Sequence, residues 1–398
     1  MMAISVAVGL ALGLATCALL LPTLSDFISV LRVLGRRAPQ RDGAASELPR
    51  LCVLVPAHNE ELMVGACVRS LLGMRYPPEC CTVTVIADNC SDRTADVARA
   101  AGARCLERQD RLHPGKPRAI AWALEHLSWD RHDAIVVVDA DTVVAPDFAA
   151  ALGRAAPLKA KAVQAYFDVD NRTESALTRM ATVYAAASHQ FAYPLKQRAA
   201  LNTPLVGNGM CIGTQVLRTH GWTAFSIAED WELYAQFTER GVRIECAPQA
   251  RLYAQETHTL RHSLSQRERW TAGKLTVLAR YGLPLLRSGR VSLRQKLDAI
   301  AELSAPGPAL HLALALLGSA VVLLLRLPPA IALLLLASLL RPLVYAVLAL
   351  RAQPDPVRAV AAFAFLPLYA FWRVGAAASA LRMVGDKPWV RTQRHRHG

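Results

Sequence analysis

The chain carries carboxylates where short apolar runs end. In VVVDADT, Asp139 and Asp141 are one residue apart, so an extended backbone turns both to one side and Ala140 to the other. Such a pair supplies hard oxygen ligands suited to Mg2+ or Mn2+ on a substrate diphosphate. The same letters, with Val143, fit the DxDx[TV] pattern in which the first Asp attacks phosphate, and two solvated turn aspartates are a third reading. In VIADNCSDRT, Asp88 ends a strand-like run. It is placed either to accept hydrogen bonds from a uracil or ribose or to form an Asx-turn, a role that also suits Asp92. FSIAEDWEL sets Glu229 and Asp230 at a helix start, where the macrodipole favours anions. A helix cap and a general base are both open there, and spacing does not separate them.

Three further stretches carry polar chemistry. HPGKPR presents Lys116 and Arg118 to phosphate, to a saccharide or to solvent, but lacks the glycine and Ser/Thr of a P-loop. VGNGMCIG offers Gly207 and Gly209, which let backbone come close to a ligand. SLSQRERWTAG offers Trp270 as a flat face for a pyranose ring and Arg269 as a fork for phosphate. Its plain alternative is a helix with tryptophan anchored at a membrane surface.

Positioning these residues requires a sheet. LCVLVPAHNE, TVTVIAD, RCLERQ and DAIVVVDADT read as buried strands, and EELMVGACVRSLLGM, TADVARAAGA and KPRAIAWALEHL read as helices between them. Alternation of this kind predicts an α/β fold of parallel βαβ units, with its ligand crevice beyond the carboxyl ends of the strands. Asn59 and Glu60, Asp88, and Asp139 with Asp141 all fall at such ends.

Hydrophobic residues make up 53% of the 398, concentrated towards the two ends. The first apolar run is long enough to span a bilayer and has no basic n-region, so residues 1–30 read as a retained transmembrane helix rather than a cleaved leader. Arg32, Arg36, Arg37 and Arg41 then place its far end in the cytoplasm. Residues 48–283 form the globular unit, 284–304 an interfacial amphipathic helix, 305–385 further transmembrane segments and 386–398 a basic tail. Apolar runs at 308–326, 329–350 and 359–381 create a conflict, because three crossings would put the basic tail outside. One of them must be re-entrant or interfacial, and Arg341 and Arg373 fall inside the second and third. Nine scattered cysteines form neither a zinc pattern nor a disulfide framework, as suits a reducing cytoplasm. The net charge of +14 gathers near predicted membrane boundaries, so anionic membrane lipid, not nucleic acid, is the expected partner.

Taken in order, VPAHNE, ADNCSDRT, VVVDADT, AED and QRERW resemble the inverting GT-A glycosyltransferases of family 2. Within these the set is similar to the membrane-embedded branch of cellulose, chitin, hyaluronan and poly-N-acetylglucosamine synthases. The resemblance implies a GT-A domain, Rossmann-like with a mostly parallel sheet, flanked by transmembrane helices in the inner (plasma) membrane with the catalytic domain cytoplasmic. It implies a UDP-sugar donor (UDP-Glc or UDP-GlcNAc), Mg2+ or Mn2+, a saccharide or lipid-linked acceptor and a possible accessory export subunit. Asn59, Glu60, Asp88, Lys116 and Asp139 would then bind the nucleotide sugar. Asp139 and Asp141 would match the DxD pair, with Asp141 the first choice for direct metal ligand, and Asp230 the base of the TED motif. Glu229, Gln266, Arg269 and Trp270 would contact acceptor or donor, while Glu268 is expendable. Trp389, Thr392 and Arg394 resemble a short C-terminal element. Polymer synthesis is the leading expectation, with transfer of a single sugar to a lipid or short acceptor the alternative. Ala228, where the family usually has Thr, is the one departure noted.

Overall fold

The computed structural model describes residues 2–35 and 47–385. Arg36, Arg37, Arg41 and the tail bearing Trp389, Thr392 and Arg394 lie outside the described residues.

Eight strands form one mixed sheet. In chain order they are β1 (Leu51–Ala57), β2 (Cys81–Asp88), β3 (Arg104–Arg108), β4 (Ala134–Val137), β5 (Thr142–Val144), β6 (Lys161–Val169), β7 (Met210–Gly213) and β8 (Arg243–Ala254). Their order across the sheet is β3-β2-β1-β4-β7-β6-β8-β5. The first four neighbours are parallel, as the alternation predicts. β7 then runs antiparallel to β4 and β6, β6 is parallel to β8, and β5 antiparallel to β8. Both faces are covered, which is why the first strands read as continuous apolar runs. On β1, Leu51, Val53 and Val55 pack into one core, and Cys52 and Leu54 into the other.

This topology gathers the polar loops. β1, β2 and β4 finish at the same edge, and Met210 pairs with Val137, so the glycines before β7 arrive there as well. The ends of β6 and β8 join the same crevice through Val169 and Gln255.

The first helix, Met2–Leu34, runs past residue 30, where the sequence reading closes it. Its last third docks on the globular unit: Asp26 is 6% exposed and Ser29 fully buried. The helix Leu260–Arg287 takes in the start of the stretch expected to lie in the membrane interface. The remainder, Leu293–Ser304, buries Asp298, Ala299 and Leu303. Ala299 and Leu303 join the second sheet core, so half of this helix faces protein. All nine cysteines are free.

By length and composition three helices are able to cross a membrane, Gly9–Leu34, Pro329–Arg351 and Pro356–Met383, and Leu293–Ser304 with Pro308–Leu324 forms a further pair bent by 86°. Pro308–Leu324 and Pro329–Ser338 make a hairpin, closed by Ala315 and Leu335 against Leu19 and by a 2.8 Å hydrogen bond between His311 Nε2 and Ser338 Oγ. Their outer surfaces are apolar: Leu324 is 81% and Leu333 67% exposed. Arg341 is half-buried and meets protein carboxylates. It donates from Nε to Asp26 (2.7 Å) and from Nη2 to Glu302 (2.6 Å).

Candidate active site

Each carboxylate owes its place to a strand end or helix start. β4 stops at Val137, two residues earlier than the extended reading requires. Asp139 to Thr142 is a turn, closed by Thr142 N donating to Asp139 O at 3.1 Å. A turn, not strand alternation, therefore brings Asp139 and Asp141 to the cavity wall. Lys116 opens the helix Lys116–His126 and binds Asp139 Oδ1 (2.6 Å), Gly207 O (2.7 Å) and Glu229 Oε1 (3.4 Å). Burial opposes its charge, but Asp139 and Glu229 outweigh burial and hold the ammonium above the ordinary lysine range. Lys116 is thus the link between two loops that lie far apart in the chain.

Glu229 and Asp230 begin the helix Glu229–Glu239, whose N-cap, Ala228, makes no side-chain capping bond. Asp230 Oδ1 accepts from Trp231 N (2.8 Å), and a Cβ at Gly207 would stand 3.2 Å from Oδ2. Gly207 has φ +78°, so the close approach and the backbone both call for glycine. Burial, then the neighbouring Glu229, raise Asp230 to about 7. Gly209 serves packing instead. Its missing Cβ makes room for Ala165 and Leu252, and its N donates to Val137 O.

Asp88 is 4% exposed and saturated by protein. Arg108 Nη1 donates to Oδ1 (2.6 Å) and Gly115 N to Oδ2 (3.2 Å), so Asp88 fixes the turn that launches Lys116. Arg108, itself 5% exposed, was missed by sequence reasoning, since one arginine in an irregular edge strand carries no pattern. Glu60 and His58 line the cavity. Asn59, at φ 55°, spends Oδ1 on Ser91 N (2.7 Å) and ties the β1 loop to the β2 loop. Asp92 accepts from Thr94 N (3.0 Å), the Asx role expected of it.

Gln266, Arg269 and Trp270 also line the cavity, as does Arg267. Arg267 Nη2 donates to Glu256 (2.8 Å), and the guanidinium lies 4.4 Å over the Trp270 ring. Gln266 Oε1 is buried with no hydrogen-bond partner among the described residues. Helix Leu260–Arg287 reaches this place through Gly273, where a Cβ would come within 2.5 Å of Ala228 Cβ. The small residue at 228 thus meets a glycine on the facing helix. Glu232 was also missed: it is 1% exposed and accepts from Phe225 N and Ser226 N, holding the loop before the helix.

Glu60, Asp88, Lys116, Asp139, Asp141, Glu229, Asp230, Gln266, Arg269 and Trp270 face one cavity of about 1440 Å³, whereas Asn59, Arg108 and Glu232 are not in its wall and support it from behind. One end holds Asp88, Asp139, Asp141, Glu229 and Asp230; the other is walled by Leu12, Leu19, Leu310, Leu314, Leu317 and Val321 of the apolar helices. Residues 49–273, more than half of the 398, match the family described as glycosyltransferase like family 2. The chain belongs to that family. As a family 2 glycosyltransferase it is 27% identical over 257 residues to the probable glycosyltransferase YdaM of Bacillus subtilis (62% of this chain, 60% of that protein). It is 29% identical over 238 residues to a beta-monoglucosyldiacylglycerol synthase of Trichormus variabilis (57% of this chain, 49% of that protein). The glycosyltransferase therefore spans about half to three fifths of these relatives. Among solved structures, the mannosyltransferase PcManGT from Pyrobaculum calidifontis, in complex with GDP-Man and Mn2+, is 20% identical. It superposes with a TM-score of 0.58 over 94% of this chain and 98% of that one, which shows the shared fold. Family membership replaces the DxDx[TV] phosphatase reading.

Proposed function

We propose that this glycosyltransferase transfers a hexose, with inversion, from a UDP-sugar to an acceptor held at the membrane by an apolar chain. The observation that carries the reading is the single cavity, with carboxylates at one end and the walls of apolar helices at the other. The alternative, a growing saccharide, draws on Gln266, Arg269 and Trp270 in the same wall.

Among the described residues no group of three His, Cys, Asp or Glu side chains could hold a metal unaided. Asp139 and Asp141 nevertheless fit Mg2+ or Mn2+, because Mg2+ commonly takes one or two carboxylates and completes its shell with phosphate and water. A bound ion would neutralise charge on the diphosphate leaving group. Lys116, already against Asp139, adds a second positive charge there. Asp230 accepts the proton of the acceptor hydroxyl. The hydroxyl oxygen bonds to C1 of the sugar, the C1–O bond to phosphate breaks, and its electron pair leaves on UDP. One displacement turns an α-linked donor into a β-linked product. Trp270 supplies the stacking face and the apolar helices receive the acceptor's chain.

The membrane arrangement is part of the proposal. Residues 340–385 touch the globular unit at points from one end to the other: Tyr345 beside Tyr193, Ala349 and Ala359 beside Val183, Arg373 at Thr271 and Gly385 at Thr276. We read Pro356–Met383, touching that unit near both ends, as lying along the interface, and residues 340–351 as the end of the apolar helix Pro329–Arg351 where it returns to that unit. The hairpin Pro308–Ser338 likewise begins and ends beside that unit, since Lys274 Nζ donates to Ala305 O (2.6 Å) and Arg341 binds Glu302. Its two arms leave and return on one side, the first helix crosses once, and the basic tail stays with the catalytic domain in the cytoplasm, as the charge rule requires.

The test uses membranes supplied with a radiolabelled UDP-sugar. A short lipid-extractable product supports the lipid reading, and a long alkali-stable polymer supports the saccharide one. Absence of product and of UDP release with every hexose donor would refute both.

A further inference from the structure

The helix Leu366–Ala380 carries an arginine whose charge meets no carboxylate among the described residues. Phe371 and Leu368 are 74% and 58% exposed on its outer side, whereas Arg373 is 7% exposed and lines the cavity. Nη2 donates to Thr271 Oγ1 at 3.4 Å, and Nη1 is buried without a hydrogen-bond partner among the described residues. Arg108, Arg267 and Arg341 each meet a carboxylate within 2.8 Å. Among the described residues no carboxylate lies within ion-pair distance of Arg373. A buried cation without a counter-charge is costly, and a fixed fork of donors fits phosphate. Lys274 stands on the same wall: its Nζ meets Ala305 O and the Trp231 ring at 4.3 Å, and no carboxylate among the described residues is within ion-pair distance.

Location narrows the ligand. Thr271 follows Trp270 directly and precedes by two residues the glycine that abuts Ala228, next to Glu229 and Asp230. Arg373 therefore lies between the carboxylate end of the cavity and its apolar end. It belongs to the helix read above as interfacial, and the interface is the depth at which lipid phosphates sit.

We propose that Arg373, supported by Lys274, binds the phosphate ester of the acceptor, an anionic lipid in which phosphate separates the sugar-accepting hydroxyl from the apolar chain. This rests on the reading of a membrane-held acceptor. The reacting hydroxyl then faces Asp230 while the chain follows Leu310, Leu314 and Leu317. Arg373 does no chemistry on the sugar; it selects and positions the acceptor.

The experiment compares phosphate-bearing acceptors (farnesyl phosphoryl glucoside, phosphatidylglycerol) with uncharged counterparts (farnesyl glucoside, diacylglycerol) and a soluble oligosaccharide. The full chain in nanodiscs is used as wild type, Arg373→Gln and Arg373→Lys. The wild type prefers a phosphate-bearing lipid. Arg373→Gln raises KM for it by about 10- to 100-fold, the range of a lost charge-assisted bond, and leaves donor KM and acceptor-independent UDP release unchanged. Arg373→Lys recovers part of the loss, and unchanged melting of both variants excludes misfolding. Equal use of charged and uncharged lipids, or an Arg373→Gln effect on donor KM alone, overturns the phosphate site while leaving the lipid reading intact. Transfer to the oligosaccharide and to neither lipid class overturns both.

Discussion

Replacing Gly273 by alanine tests how the helix bearing Gln266, Arg269 and Trp270 is held against the carboxylates. The added Cβ would lie 2.5 Å from Ala228 Cβ. Carbon atoms rest about 3.5–4.0 Å apart, so the helix or the Ala228 loop must give way by about 1 Å or more. Overpacking of this kind costs about 1–3 kcal/mol, and a 1 Å misplacement of a positioning group can lower turnover about 100-fold. The compensating change is Ala228→Gly. It removes the clashing carbon and leaves Ile227 Cγ1 at 3.5 Å and Ala228 Cα at 3.6 Å, both ordinary contacts. Glycine is also tolerated at the N-cap position that Ala228 occupies. The assay is UDP release and thermal melting for Gly273→Ala, Ala228→Gly and the double variant. The first should lose most activity and melt lower, and the double variant should recover much of both. Wild-type activity and melting in Gly273→Ala, or no recovery in the double variant, would refute this account of the helix.

Because Asp230 sits at about 7, its kcat/KM should rise as pH increases through that value, and Asp230→Asn should lose about 10²- to 10⁴-fold in rate while still binding UDP by calorimetry. For stability the sign is opposite. This carboxyl's contribution is full below its unfolded value of about 4 and is lost as pH rises through the folded one, which melting curves of wild type and Asp230→Asn would separate. Lys116 holds the Asp230 value down, so Lys116→Met should shift the pH–rate profile to the alkaline side; an unmoved profile would remove Lys116 from the site's electrostatics. Lys196 is 1% exposed, within 3.1 Å of Glu302 and 2.5 Å of Asp298, which is fully buried. Lys196→Met leaves the buried Asp298 without an ion-pair partner among the described residues, while Glu302 keeps Arg341, and should cost about 3–5 kcal/mol of stability, read as a lower melting temperature in detergent.

Much of the site was legible because a parallel sheet delivers strand ends to one edge whatever the loops do. Asp88, Asp139 and Asp141 could be grouped from local runs alone, since the period of the apolar residues marks where each strand stops. The second half of the sheet was not: β6, β7 and β8 pair across long separations, and mixed direction leaves no mark in a window of ten residues. For the same reason the partners that hold the site in shape were unread. Arg108 on Asp88, Glu232 under the Phe225 loop and Ser91 on Asn59 depend on which loops meet, not on spacing.

The sequence by itself determined the α/β class, the ordered motifs and the apolar ends, because these rest on local periodicity and residue type. The tertiary structure alone decided that Lys116 bridges Asp139 and Glu229, that Gly273 lets one helix close on Ala228, and that Arg341 meets Asp26 and Glu302 instead of lipid. It also left Arg373 buried without a carboxylate among the described residues. Each of these depends on a separation in space between residues far apart in the chain, and burial and charge take their energetic meaning from that separation.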